Sequence, residues 1–108
     1  VGAEMCIRDS KIKPGTTFQA AHLIHQMGKL YEEAGQRSST RVYWSGGSLP
    51  GPKDIIYMEW TEEAIRPPRR KGHKLPEGIG DLVQQLRPMQ EETYIEFYSI
   101  FDPEVHVA

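Results

Sequence analysis

The 108-residue chain reads as an α+β domain with elements in the order β-α-β-β-α-β, a four-stranded antiparallel sheet carrying two helices on one face. Three observations predict it. Two segments repeat apolar residues at intervals of three and four, the period of one buried helical face. Three others are short, β-branched or aromatic, and bounded by turn residues. Glycine and proline punctuate the junctions between them, with no internal repeat. This order of elements suits the split β-α-β arrangement.

Lys11-Ile12-Lys13 ends a first strand, and Pro14-Gly15 turns the chain, with Thr16 or Thr17 placed to cap a helix. The helix covers about residues 16–34. Ala20, Leu23, Ile24, Met27, Leu30, Tyr31 and Ala34 form its buried stripe, and Gly35 stops it. Arg41-Val42-Tyr43-Trp44-Ser45 is a second strand, followed by a loop from Gly46 to Pro52. Asp54 to Thr61 is the strongest strand, with Ile55, Ile56, Tyr57, Met58 and Trp60 close together. Pro67-Pro68 ends any helical turn begun at Glu62, and the basic segment Arg66 to Lys74 reads as a solvated loop. Ile79, Leu82, Val83, Leu86 and Met89 mark the second helix, which Pro88 ends near residue 87. Thr93 to Phe101 alternates and makes the last strand, before a tail over 103–108.

The N-terminus stands apart. Met5-Cys6-Ile7-Arg8-Asp9-Ser10 back-translates as ATG TGT ATA AGA GAC AGN, which resembles the mosaic-end adapter of transposon-based sequencing libraries. Residues 1–10 are therefore expected to be a non-native segment read through from an assembled metagenome contig, leaving 11–102 as the single evolved domain. On that reading Cys6 says nothing about redox compartment or catalysis. The segment also lacks the apolar stretch of a signal peptide, so a cytoplasmic location is expected.

Composition narrows the function classes. Thirteen Lys and Arg against fifteen Asp and Glu give a net charge of -2, without the overall positive charge that nucleic acid or an anionic membrane attracts. No apolar run approaches the roughly 18–20 residues of a membrane span. One cysteine makes neither an internal disulfide nor a cysteine-based zinc site.

Alternation gives the sheet two apolar faces. Ile56, Met58 and Trp60 share one side of the third strand, while Ile55, Tyr57 and Glu59 share the other. In the last strand Ile95, Phe97 and Phe101 oppose Tyr94, Glu96, Tyr98 and Ile100. Two helices cover one face only, so the second, rich in tyrosine, calls for a second copy placed sheet to sheet. A homodimer whose sheets form one barrel is expected.

Ile12-Lys13-Pro14-Gly15, Gly51-Pro52-Lys53-Asp54-Ile55-Ile56-Tyr57-Met58-Glu59-Trp60 and Glu96-Phe97-Tyr98-Ser99-Ile100 together resemble the NIPSNAP-like group of the dimeric α/β-barrel superfamily. The resemblance covers about residues 11–102 and implies a ferredoxin-like fold and a dimer. It brings no catalytic motif. The superfamily also includes cofactor-free monooxygenases, haem-degrading enzymes, muconolactone isomerases and stress-responsive dimers, so the fold selects no reaction.

Candidate chemistry is sparse. His22 and His25 have metal-ligand spacing on a helix but project away from its buried stripe, and His73 and His106 lie in the basic segment and the tail. With no phosphate-cradling glycine pattern either, no cofactor is expected. Glu59 and Glu96 share the second face but should sit about 10 Å apart, two strand spacings, too far to share a proton. The residues expected to act catalytically in an enzyme are Tyr57, Glu59 and Tyr98, as donors or a base beside an apolar cavity. Trp44 and Trp60 are the expected ligand-stacking walls, with core packing as the other reading. These features predict a dimer that binds, and in an enzyme transforms, a small hydrophobic or aromatic molecule in the cleft between sheet and helices. A non-catalytic homodimeric interaction module is the alternative.

Overall fold

The computed structural model describes residues 4–62 and 75–105. The expectations for the basic segment Arg66 to Lys74, for His73 and for His106 fall on residues outside that range. The elements are β1 (Glu4–Ile12), α1 (Thr17–Glu33), β2 (Arg41–Ser45), β3 (Ile55–Glu62), α2 (Ile79–Leu86) and β4 (Gln90–Ser99), with one 3-10 turn at Arg87–Met89. The strands form one sheet in the order β2-β3-β1-β4, every neighbouring pair antiparallel. The fold is ferredoxin-like, as the element order predicts.

The last strand begins and ends earlier than its sequence suggests. Pro88 is absorbed in the single 3-10 turn, so the chain enters β4 at once and Gln90 already opposes Ile12. At the other end Ser99 opposes Glu4, and Ile100 and Phe101 lie beyond the strand. The expected helix cap also differs. The Thr16 hydroxyl donates to the Lys13 carbonyl at 2.8 Å and the Thr17 hydroxyl to the Asp54 carboxylate at 2.9 Å, so neither caps α1. Asp54 adopts a left-handed φ of 58° at the turn into β3, and its carbonyl accepts the Ile12 N–H at 2.8 Å. One turn thereby ties the end of β1, the start of α1 and the start of β3 together.

The core lies between sheet and helices. Cys6, Ile12, Ala20, Ile24, Ile56, Met58, Trp60 and Leu86 form it, with Leu23, Met27, Val42 and Met89 packed on its margin. Residues 20, 24 and 31 of the predicted helical stripe are buried, as is Gly28 between them. That glycine is required by a close approach. A Cβ at Gly28 would run into the Thr40 side chain, which is itself fastened to the Glu32 carboxylate through both its backbone N–H and its hydroxyl. With both groups held, Thr40 has little room to yield. Gly28→Ala is expected to destabilise the domain by about 1–3 kcal/mol, the usual range for overpacking, measured as a lower thermal midpoint in calorimetry.

Candidate functional site

The sheet turns its other face away from the helices, and the registers fix which side chains meet there. Tyr43 opposes Tyr57, Tyr57 opposes Asp9, and Asp9 opposes Tyr94, a row running across all four strands. The adjacent row is Arg41, Glu59, Ile7 and Glu96. Beyond it Met5 lies between Thr61 and Tyr98. Side chains opposed in an antiparallel register share a face, so these rows form one surface. Tyr43, Tyr94 and Tyr98 are 42%, 51% and 46% exposed on it.

Two of the expected catalytic residues find partners here. The Tyr98 hydroxyl donates to Glu96. Ser45 gives its own hydroxyl proton to the Pro52 carbonyl at 2.7 Å, which leaves the Tyr57 hydroxyl to donate to Ser45 at 3.3 Å. Glu59 stands opposite Arg41 on the edge strand, whose charge is favoured first by Tyr43 and then by Glu59. Glu59 and Glu96 flank Ile7 on either side, so two strand spacings of about 4.8 Å separate their backbones. They form no acid pair.

A different carboxylate does approach Glu96. Asp9 is 1% exposed, with Glu96 and Tyr94 as its polar neighbours. Burial first, and Glu96 second, push its pKa up from 3.8 to about 6. Its neighbours respond in the opposite sense or by holding their protons. Glu96 is lowered by Asp9 and Tyr98, while Tyr94 and Tyr98 are raised by hydrogen bonding to Asp9 and Glu96 respectively. The phenols therefore stay protonated as donors at neutral pH, and Glu96 stays an acceptor. Sequence reasoning passed over Asp9 because it lies in the segment set aside as foreign. Tyr94 and Glu96 were legible through alternation alone.

The two tryptophans lie on the other face and apart from each other. Trp60 is 3% exposed, with the Arg37 guanidinium 3.7 Å above its ring and 3.8 Å from the ring of Tyr31. Trp44 opposes Ile56, four residues from Trp60 along β3 or about 13 Å at strand rise. It meets Phe18 edge to face at 5.2 Å and stays half-exposed. The structure thus groups Tyr57, Glu59 and Tyr98 on one face and leaves Trp44 and Trp60 on the side of the helices. His22 and His25 are both exposed, as their helical projection implies. His25 borders an open groove of about 480 Å³ between α1 and α2, floored by Leu30 and Leu82 and rimmed by Lys29 and Asp81.

Comparison with known proteins bears on the fold. No family model matches the chain, and no curated protein does. Solved structures do. A NIPSNAP family protein from Agrobacterium tumefaciens superposes with a TM-score of 0.71 at 14% identity, over 94% of this chain and 88% of its own. A candidate antibiotic biosynthesis monooxygenase from Bordetella bronchiseptica gives 0.68 at 10% identity, over 94% and 99%. A NIPSNAP domain protein from Burkholderia xenovorans gives 0.63 at 14%, over 88% and 91%. The fold is shared with both groups along nearly the whole chain, and the resemblance to the NIPSNAP-like group read from three short segments is met by the structure.

The Asp9–Glu96 contact makes stability depend on pH. A carboxyl whose folded pKa is raised stabilises the fold at low pH and loses that contribution as pH rises through the folded value. Above the ordinary Glu value of 4.5 the opposing effect of Glu96 is largely complete. The thermal midpoint is therefore expected to fall between pH 4.5 and 7, and Asp9→Asn to flatten that slope in a calorimetric pH series.

Proposed function

We propose that the chain is a NIPSNAP-like homodimer in which two tyrosine-rich sheet faces close on each other, and that the enclosed space binds a small hydrophobic or aromatic molecule. The observation that carries this reading is the face itself. Tyr43, Tyr57, Tyr94 and Tyr98 lie on it, no described helix or strand covers it, and three of them are more than two-fifths exposed. An aromatic surface of that extent is favourable to bury, and its phenol hydroxyls give a bound molecule a few directed donors. The structural neighbours that carry the name of antibiotic biosynthesis monooxygenases support a ligand of that general kind.

The arrangement of polar groups favours the open face over the expected cleft between sheet and helices. The space between sheet and helices holds the packed core, whereas the polar groups gather on the open face. In an enzyme of this design Tyr57 and Tyr98 donate hydrogen bonds to a ligand oxygen and Glu59 accepts a proton, the acid–base chemistry of an isomerase or a cofactor-free monooxygenase. A non-catalytic interaction module keeps the same dimer and needs none of these groups free.

Light scattering at micromolar concentration is expected to give about twice the 12.3 kDa chain mass. Tyr98→Asp sets a second carboxylate beside Glu96 and should shift the protein towards monomer. A naphthalene fluorophore titrated into the dimer should brighten on binding and be lost with Tyr98→Asp. A dimer that leaves the fluorophore unchanged would select the interaction module, and a monomeric parent chain would overturn the barrel.

A further inference from the structure

We infer that Met5 to Ser10 stand in the place of a more apolar native strand, and that the Asp9–Glu96 acid pair is a product of that replacement and no catalytic dyad. The inference stands on the packing of β1 and is independent of the assembly proposed above. β1 is one of the two interior strands, hydrogen-bonded on both sides, with the helix layer on one face and the row of tyrosines on the other. A strand so placed is the one that should be apolar on the helix side throughout. Its neighbour β3 follows the rule, with Ile56, Met58 and Trp60 at successive inward positions, all buried.

β1 breaks the rule from residue 8 to residue 10. Arg8 takes the inward position between Met58 and Ile95, where burial lowers its pKa and a 3.4 Å hydrogen bond reaches out to Thr93. Ser10, 1% exposed, takes the inward position beside Ile56 and draws in the Gln90 amide at 2.9 Å. Asp9 between them points the other way and is buried against Glu96 and Tyr94. One carboxyl is thereby set against another on a face lined by phenols.

The pattern recovers at the junction. Ile12 is fully buried in the core, and the regular pairing with β4 shifts between Lys11 and Ile12, where the expected foreign segment has ended. A strand can be formed from almost any sequence that supplies backbone N–H and C=O groups to waiting neighbours, so a foreign segment is accepted into the ladder. Cys6 still reaches the core and Ser10 finds polar partners, while Arg8 and Asp9 carry charge into the two layers. The carboxylates that the evolved part of the chain brings to the open face are then Glu59, Glu92 and Glu96, the last hydrogen-bonded by Tyr98. The carboxyl of Asp9 is an intruder between Tyr57 and Tyr94.

Two single substitutions in the full chain test this, Arg8→Val and Asp9→Asn. Most substitutions in an evolved central strand lower stability. Here each is expected to raise the thermal midpoint at pH 7.5 by about 4–8 °C, the shift typical of one improved contact in a domain of this size, with the particle mass in light scattering unchanged. A midpoint that stays or falls in either variant would show that the residue is matched to its surroundings and overturn the inference. So would a change of particle mass in either, which would mean that the replaced side chain belongs to the working surface.

Discussion

The interior position of β1 is the constraint from which the rest follows. It pairs with β3 on one side and β4 on the other, so both halves of the chain reach the sheet through it. Each of its residues is held in register twice, and its side chains are offered alternately to the helices and to the open face. Because strand periodicity is two, a residue's chemistry on this strand is felt by a whole layer. That is why Arg8 and Asp9, adjacent in sequence, face the core and the tyrosine surface respectively.

Closure of the helix layer is handled by a second set of contacts. Gly28 lets α1 approach Thr40 at the entrance to β2, and Glu32 secures that threonine by two hydrogen bonds. The intervening loop sends Arg37 between the rings of Tyr31 and Trp60, with its Nη1 3.2 Å from the Met58 sulfur. A guanidinium sandwiched between aromatic rings keeps its charge at favourable electrostatic contact while covering apolar surface. The packing that results makes Trp60 a core residue with a cationic lid.

The open face has a different logic. Its donors and acceptors are phenols and carboxylates brought together by register, each perturbing the next. Asp9 and then Tyr98 lower Glu96, burial and then Glu96 raise Asp9, and Asp9 raises Tyr94. Such coupling arises wherever polar groups share a poorly hydrated surface, and by itself it does not distinguish a catalytic arrangement from an accidental one. The distinction comes from whether the residues fit the strands that carry them.

Local pattern was enough to specify most of the architecture. The three- and four-residue spacing of Ala20, Ile24 and Tyr31, the dense run from Ile55 to Trp60 and the punctuation by Pro14-Gly15 and Pro88 depend only on neighbours along the chain, and they determined the element order and the two faces of β3. The open-face residues Tyr57, Glu59, Tyr94, Glu96 and Tyr98 follow from the same alternation. What alternation cannot supply is register and lateral order. These decided that Glu59 and Glu96 lie on opposite sides of Ile7 and that Trp44 and Trp60 do not share a wall. Nor could it show that Arg37 from a loop would cover Trp60, or that Asp9 would meet Glu96 across strands joined late in the chain. Those contacts are made between residues far apart in sequence, and their energies depend on burial, which exists only once the layers have packed.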